Sequence, residues 1–269
     1  VHIGTITELN GWDAMNPGHF DQHLAPFYEK EIAEETLTRE DAKELLSCFW
    51  IKVNNHPAPP KVGITAKESG TYNDFTNINI GGVKLNGSDG VSEVSYIMLE
   101  IIEELHVLQP GNSVHVSSRT PDRFLKEACK VIRQGHGYPS VFNPDVYIPE
   151  MLRQGKSLED AREGGCSGCI EVGAFGKEAY VLTGYLNVPK IIEITLNNGI
   201  NPVTGKRVSI ETGNPLDFKS YEELYDAFKK QLNYIVNQKI LVSNYIDSMF
   251  AKYSPATFLS VVIEDCISK

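Results

Sequence analysis

The stretch Gly164-Gly165-Cys166-Ser167-Gly168-Cys169-Ile170-Glu171-Val172-Gly173 decides how the rest of the sequence is read. Five glycines fall within residues 164–176 (Gly164, Gly165, Gly168, Gly173 and Gly176), too many for a helix. They let a backbone bend sharply and thread close to other segments. In an extended segment, residues two apart project to the same side. Cys169 and Glu171 can therefore face one substrate, the thiol supplying sulfur chemistry and the carboxylate proton transfer.

Plainer readings of Cys166 and Cys169 stand beside that one. A Cys-x-x-Cys pair serves as a redox couple or as half of a zinc site. Structural zinc takes four Cys or His ligands, and Cys48, Cys129 and Cys266 are scattered singly with no His at ligand spacing. A thioredoxin-like pair belongs between a strand and a helix near the start of a small domain, whereas this one follows a helix in mid-chain. Simple burial is the commonest fate of a cysteine. Spacing alone leaves these readings open.

Outside the stretch, the chain of 269 residues is long enough to bury a large core in one or two domains. Its formal net charge is −10, with acids and bases interspersed rather than blocked, which disfavours nucleic acid or an anionic membrane surface as main partner. No apolar run reaches the length of a membrane-spanning helix, and no basic-plus-apolar leader opens the sequence. Five unpatterned cysteines point to reduced thiols and a cytoplasmic setting.

Periodicity sketches an α/β alternation. Thr38 with Asp41 predicts a capping box, followed by Ala42, Leu45, Leu46 and Phe49 at helical spacing. From about Ser92, Val94, Ile97, Met98, Ile101, Ile102 and Leu105 share one helical face. Gln109-Pro110-Gly111 ends that helix, and Val114-His115-Val116 reads as a short strand. Thr120-Pro121 predicts an N-cap and first helical position for a helix through Phe124, Ala128, Val131 and Ile132. Ser157 and Asp160 cap one more helix, which Gly164-Gly165 stops. The β-branched run Ile191–Leu196 predicts a buried strand. Asn201–Asp217 reads as a surface excursion, and Ser220 with Glu223 opens a long helix carrying Leu224, Phe228, Leu232 and Ile235. Strands separated by helices make the fold class α/β.

The run from Cys166 to Tyr180 resembles the cysteine loop of the glycyl radical enzymes of the pyruvate formate-lyase-like superfamily. More narrowly, it resembles their dehydratases of trans-4-hydroxy-L-proline. The likeness extends in chain order to Asn16–Gln22, Lys67–Phe75, Gly137–Asn143 and Thr183–Lys190. It implies a ten-stranded α/β barrel with the cysteine loop in its centre. Residues 1–269 are then a single, partial barrel domain, a central portion of a longer protein. No Arg-Val-x-Gly-Tyr-type segment for a radical glycine occurs, so that glycine is expected on a C-terminal domain outside the chain, and the fragment alone is not expected to turn over.

The same resemblance implies the chemistry. Cys169 corresponds to the cysteine that becomes a thiyl radical, and Glu171 to the glutamate assigned proton transfer in eliminating members. A pyruvate formate-lyase site carries two adjacent cysteines and no such glutamate, so elimination is favoured over acyl transfer. Asp13, Ser69, Phe75 and Tyr185 match substrate-contacting positions, and Asp74 a position that orients a polar partner. Three of these residues also have a plainer reading, Asp13 as a loop aspartate, Phe75 as packing and Glu171 as a surface carboxylate. No cofactor or metal is expected within the chain. An activating enzyme using S-adenosylmethionine and an iron–sulfur cluster would install the radical, and a homodimer is allowed. The alternatives are another glycyl radical lyase, such as a diol dehydratase or a formate acetyltransferase-like enzyme, and a metal- or redox-binding module on Cys166 and Cys169.

Overall fold

The computed structural model describes residues 16–55, 76–168, 170–177 and 183–253. These residues fall into two compact units, divided between Ala179 and Tyr180. In the first unit, helices α1 (Phe20–Ala33) and α2 (Arg39–Asn54) precede strand β1 (Asn77–Gly81). There follow α3 (Glu93–Leu105), β2 (Gly111–His115), α4 (Asp122–Ile132) and β3 (Ser140–Phe142). The three strands form a parallel sheet in the order β1-β2-β3, with Ile80 opposite Val114 and His115 opposite Phe142. Parallel neighbours need a crossover, and α3 and α4 supply it.

Local signals explain these elements. Thr38 caps α2, its hydroxyl accepting from the Asp41 amide while the Asp41 side chain accepts from the Thr38 amide, the expected capping box. The apolar face of α3 is buried as its spacing predicts, with Val94, Ile97, Met98, Ile101 and Ile102 inside. The Thr120-Pro121 expectation shifts by one residue, because Pro121 itself is the cap of α4. The strand expected at Val114–Val116 spans Gly111–His115 instead. Helix α1 carries Pro26 in its interior, which hides it from a periodicity reading; packing of Phe20, Leu24, Ala25 and Tyr28 on the core outweighs that cost.

Side chains alternate across a strand, so each sheet face collects every second residue. Ile78, Ile80 and Val114 lie on the helix-covered face and are fully buried in one apolar cluster with Trp50, Ile97, Met98, Ile101 and Phe124. Asn77, Asn79, Ser113 and His115 occupy the opposite face and are buried as well. A sheet buried on both faces normally reads as continuous apolar sequence. This one is polar on one side, and the rest of the first unit covers that side. Helices α5 (Pro144–Arg153) and α6 (Leu158–Glu163) lead into an antiparallel hairpin of β4 (Gly165–Ser167) and β5 (Glu171–Gly173). Ser157 caps α6 by accepting from the Asp160 amide at 3.0 Å, as the sequence predicts.

The second unit contains α7 (Val188–Leu196), a two-stranded hairpin of β6 (Ile200–Asn201) and β7 (Lys206–Arg207), and α8 (Tyr221–Tyr253). Ile191–Leu196 is helical, correcting the predicted strand. Asn187 accepts from the Lys190 amide at 2.9 Å and Pro189 occupies the first turn, while Ile191, Ile194 and Thr195 are buried at helical spacing. Cap and packing override the β preference of branched residues. The excursion 201–217 is pinned where Asn198 Oδ1 accepts from the Thr212 and Gly213 amides and Gln231 Nε2 donates to the Ile210 carbonyl.

The α/β class holds, but no barrel closes among the described residues, whose sheets have three, two and two strands. Also among the described residues, no helix is long and apolar enough to cross a membrane. Phe124→Ala empties a fully buried site and is expected to cost about 3–5 kcal/mol, against ~1 kcal/mol for Thr38→Ala at an exposed cap. Urea unfolding of the two variants checks this ranking.

Candidate active site

The cysteine stretch folds as the β4–β5 hairpin, with Gly165 opposite Gly173, Cys166 opposite Val172 and Ser167 opposite Glu171. Its glycines are there for space and for dihedral angle. A Cβ on Gly165 would sit 2.7 Å from Asn79 Oδ1, and one on Gly164 2.6 Å from the Gly173 carbonyl oxygen. Gly168 turns the hairpin at φ +58°, a conformation that L side chains rarely adopt.

The polar face of the sheet binds the backbone of this hairpin. Asn79 Nδ2 donates to the Cys166 carbonyl at 2.9 Å, and the Cys166 amide donates back to Asn79 Oδ1 at 2.8 Å. Asn77 Nδ2 donates to the Gly168 carbonyl at 3.0 Å and to that of Cys166 at 3.3 Å. Ser113 Oγ donates to Asn77 Oδ1 at 3.1 Å and so orients that amide. Asn16 Nδ2 also reaches the Cys166 carbonyl, and His19 Nε2 meets the Gly164 carbonyl at 2.9 Å. The anchors thus fall on residues 164, 166 and 168, ending immediately before Cys169 in the chain.

Beneath the anchors lies a buried histidine pair. The rings of His19 and His115 meet edge to face with centroids 5.0 Å apart. His115 Nε2 contacts Asn79 Oδ1, and the Tyr147 hydroxyl contacts His115 Nδ1 at 3.0 Å. Burial holds both imidazoles below the ordinary histidine value, His115 well below it, and the neighbouring His19 adds to the effect at His115. Burial likewise pushes the Tyr147 phenol upward. Asp21, fully buried, accepts from the Gly81 amide at 2.7 Å and from Ser95 Oγ. Burial pushes its carboxyl up to about 7, with those hydrogen bonds pulling the other way.

Glu171 stands on β5, exposed, with one carboxylate oxygen accepting from the Ile170 amide at 2.9 Å. Ile170 at the hairpin tip is 72% exposed. Cys166 is buried, whereas Cys48 and Cys129 are exposed. Cys169, Asp13, Ser69, Asp74 and Phe75 lie outside the described residues. Tyr185 belongs to the second unit, where it borders a groove of about 340 Å³ with Ile191, Ile194, Ile235, Lys239 and Val242. Among the described residues, no group of three His, Cys, Asp or Glu is placed to hold a metal ion.

Sequence reasoning found the loop and missed its cradle. The available signal was Asn77-Ile78-Asn79-Ile80, a strict alternation whose polar positions are asparagines, residues depleted in strands. An amide at such a position needs a partner, and a buried one needs several.

The chain is similar to known proteins in both sequence and fold. A family model described as pyruvate formate lyase-like matches residues 1–269. The trans-4-hydroxy-L-proline dehydratase of Clostridioides difficile is 54% identical over 269 residues, covering 100% of this chain and 34% of that protein. The crystal structure of hydroxyproline dehydratase from the same organism, with trans-4-hydroxy-L-proline bound, superposes with a TM-score of 0.82 at 53% identity, over 96% of this chain and 33% of that one. The glycerol-bound B12-independent glycerol dehydratase of Clostridium butyricum gives 0.77 at 33% identity, over 95% and 32% of the respective chains. This chain therefore spans about a third of the length of these relatives.

The buried acid and imidazoles have opposite pH signatures. Between about pH 4 and 7 the folded chain retains a proton on Asp21 that the unfolded chain has lost, so this group's contribution to stability falls as pH rises. Below about pH 6.5 the unfolded chain takes up protons that the buried His19 and His115 refuse, so their contribution falls as pH drops. Asp21→Asn removes only the first effect. From pH 7 to 5 this variant is expected to lose stability more steeply than the parent, by up to ~1.4 kcal/mol per pH unit. Urea titrations at three pH values read the slope.

Proposed function

Because the chain belongs to the pyruvate formate lyase-like family over residues 1–269, we propose that it is the catalytic-core portion of a glycyl radical dehydratase acting on trans-4-hydroxy-L-proline. The observation that carries this reading is the 54% identity, over every residue of the chain, to a dehydratase of that substrate. The loop geometry is consistent with it. A cysteine that must meet a radical and a substrate in turn needs a fixed backbone, and the hairpin leading to Cys169 is anchored at alternate residues by His19 and the sheet.

In this reading Cys169, as a thiyl radical, removes a hydrogen atom from the ring carbon next to nitrogen. The carbon-centred radical then expels the neighbouring hydroxyl as water, Glu171 taking up a proton and nearby acids protonating the departing oxygen. Cys169 returns its hydrogen atom to the product radical, giving pyrroline-5-carboxylate and regenerating the thiyl. Asp13, Ser69, Phe75 and Tyr185 would hold the substrate, with Asp74 orienting a polar partner among them. Ser69 suits a carboxylate and Phe75 the face of a ring.

The described hairpin tip is open to solvent at Ile170 and Glu171. Radical chemistry needs water and oxygen excluded. We place the hairpin inside a ten-stranded barrel that the remainder of a longer polypeptide completes, the chain forming one partial barrel domain of it. The radical glycine would sit on a C-terminal domain, installed by an activating enzyme with S-adenosylmethionine and an iron–sulfur cluster; a homodimer and a cytoplasmic location complete the proposal. The chain itself would hold no cofactor.

The test uses the complete protein, activated without oxygen and offered trans-4-hydroxy-L-proline, glycerol, and pyruvate with coenzyme A in separate reactions. Pyrroline-5-carboxylate from the first alone is the expected result. Product from glycerol keeps the radical and discards the ring-binding pocket, and formate with acetyl-coenzyme A removes the elimination argument. Cys169→Ala should abolish turnover while the glycyl radical still forms. Glu171→Gln should lower kcat by about 10²–10⁴-fold, the usual worth of a positioned general base.

A further inference from the structure

Asn79 uses its side-chain amide to its full capacity. Oδ1 accepts from the Cys166 amide at 2.8 Å and from His115 Nε2, while Nδ2 donates to the Cys166 carbonyl at 2.9 Å and to Asn16 Oδ1 at 3.1 Å. A primary amide offers two donors and two acceptor lone pairs, so nothing is left over. Both backbone groups of Cys166 are read by one side chain, as a neighbouring strand would read them.

The orientation of that amide is set by the Cys166 backbone, whose N–H can only donate and whose carbonyl can only accept. His115 Nε2 faces the same Oδ1 and so carries the imidazole hydrogen, which leaves Nδ1 to accept from the Tyr147 hydroxyl 3.0 Å away. A flipped amide would set oxygen against the Cys166 carbonyl and NH₂ against the Cys166 amide and the imidazole N–H. Asn79, His115 and Cys166 are fully buried, Tyr147 nearly so, and Asn16 partly. A mismatch there has no water to relieve it.

We propose that Asn79 is a positioning residue for the radical reaction: by pairing with both backbone groups of Cys166 it fixes where the hairpin delivers Cys169, and His115 meets the same amide oxygen from the far side. The inference rests on Cys169 as the thiyl residue. It also goes further, assigning a role to a residue whose side-chain amide is fully spent on the hairpin and its supports. Asn79 acts on the reaction through backbone geometry, and a misplacement of about 1 Å in a reacting group is enough for a loss near 10²-fold.

The experiment compares complete wild-type protein with Asn79→Ala and Asn79→Asp, activated without oxygen. Turnover of trans-4-hydroxy-L-proline is normalised to glycyl radical content by electron paramagnetic resonance. Amide exchange at residues 166–168 is followed in the unactivated proteins. For Asn79→Ala we expect kcat per radical to fall tenfold or more with KM within about threefold, and the Cys166 amide to exchange faster. Asn79→Asp sets a carboxylate against the Cys166 carbonyl at high pH and regains a donor when protonated. Its kcat should therefore recover as pH falls, on a limb that wild type lacks, and this variant serves if the alanine protein does not fold. A kcat per radical within twofold of wild type in Asn79→Ala, or a wild-type pH profile in Asn79→Asp, overturns the proposal. If wild type dehydrates no hydroxyproline, the functional reading fails, and exchange alone then decides whether Asn79 fixes the hairpin. Unchanged exchange at Cys166 in both variants refutes that as well.

Discussion

The amide of Asn79 bound to the backbone of Cys166 is the contact on which the first unit turns. A parallel sheet with asparagine, serine and histidine along one buried face is costly unless each polar group finds a partner, since an orphan costs about 1–3 kcal/mol. The hairpin meets that need with backbone groups of its own, which would otherwise be unpaired at Gly164, Cys166 and Gly168. The glycines at 164 and 165 permit the approach, because a methyl group on either would collide with backbone or amide oxygen. The contacts that fix the hairpin are also contacts of the fold.

The other face of the same sheet does ordinary work. Ile78, Ile80 and Val114 join Trp50, Met98 and Phe124 in an apolar core of the kind any α/β unit contains. Arg39 bridges α2 to Glu93 and Glu100 of α3, an ion pair on half-exposed side chains and so worth little by itself. Stability therefore comes from one side of the sheet and placement from the other. Alternation along β1 assigns each residue to its task.

What the sequence disclosed follows this division by distance along the chain. The Thr38–Asp41 cap and the stripe from Val94 to Ile102 were legible because their partners lie within a few turns. The loop was legible through its own residues. Its anchors were not, since Asn79 and Cys166 are 87 positions apart and no local rule links them. Ile191–Leu196 misled because branched side chains favour strands while Asn187 and Pro189, just upstream, start a helix. Helix α1 went unseen behind Pro26. Of the residues predicted for the site, Glu171 is on the hairpin and Tyr185 in the second unit, with Asp13, Ser69, Asp74, Phe75 and Cys169 outside the described chain.

A cradle that grips main-chain atoms has a consequence for how such a scaffold diversifies. The sheet specifies the path of the hairpin and is indifferent to the identity of most groups mounted on it. Residues at the tip, such as Ile170 and Glu171, can be exchanged without renegotiating the fold below, so new reactivity can be tried at little structural risk. Gly164 and Gly165 have no such liberty, because the contact that holds the hairpin occupies the space a side chain would need. The most constrained positions in this hairpin are then those with no chemistry of their own.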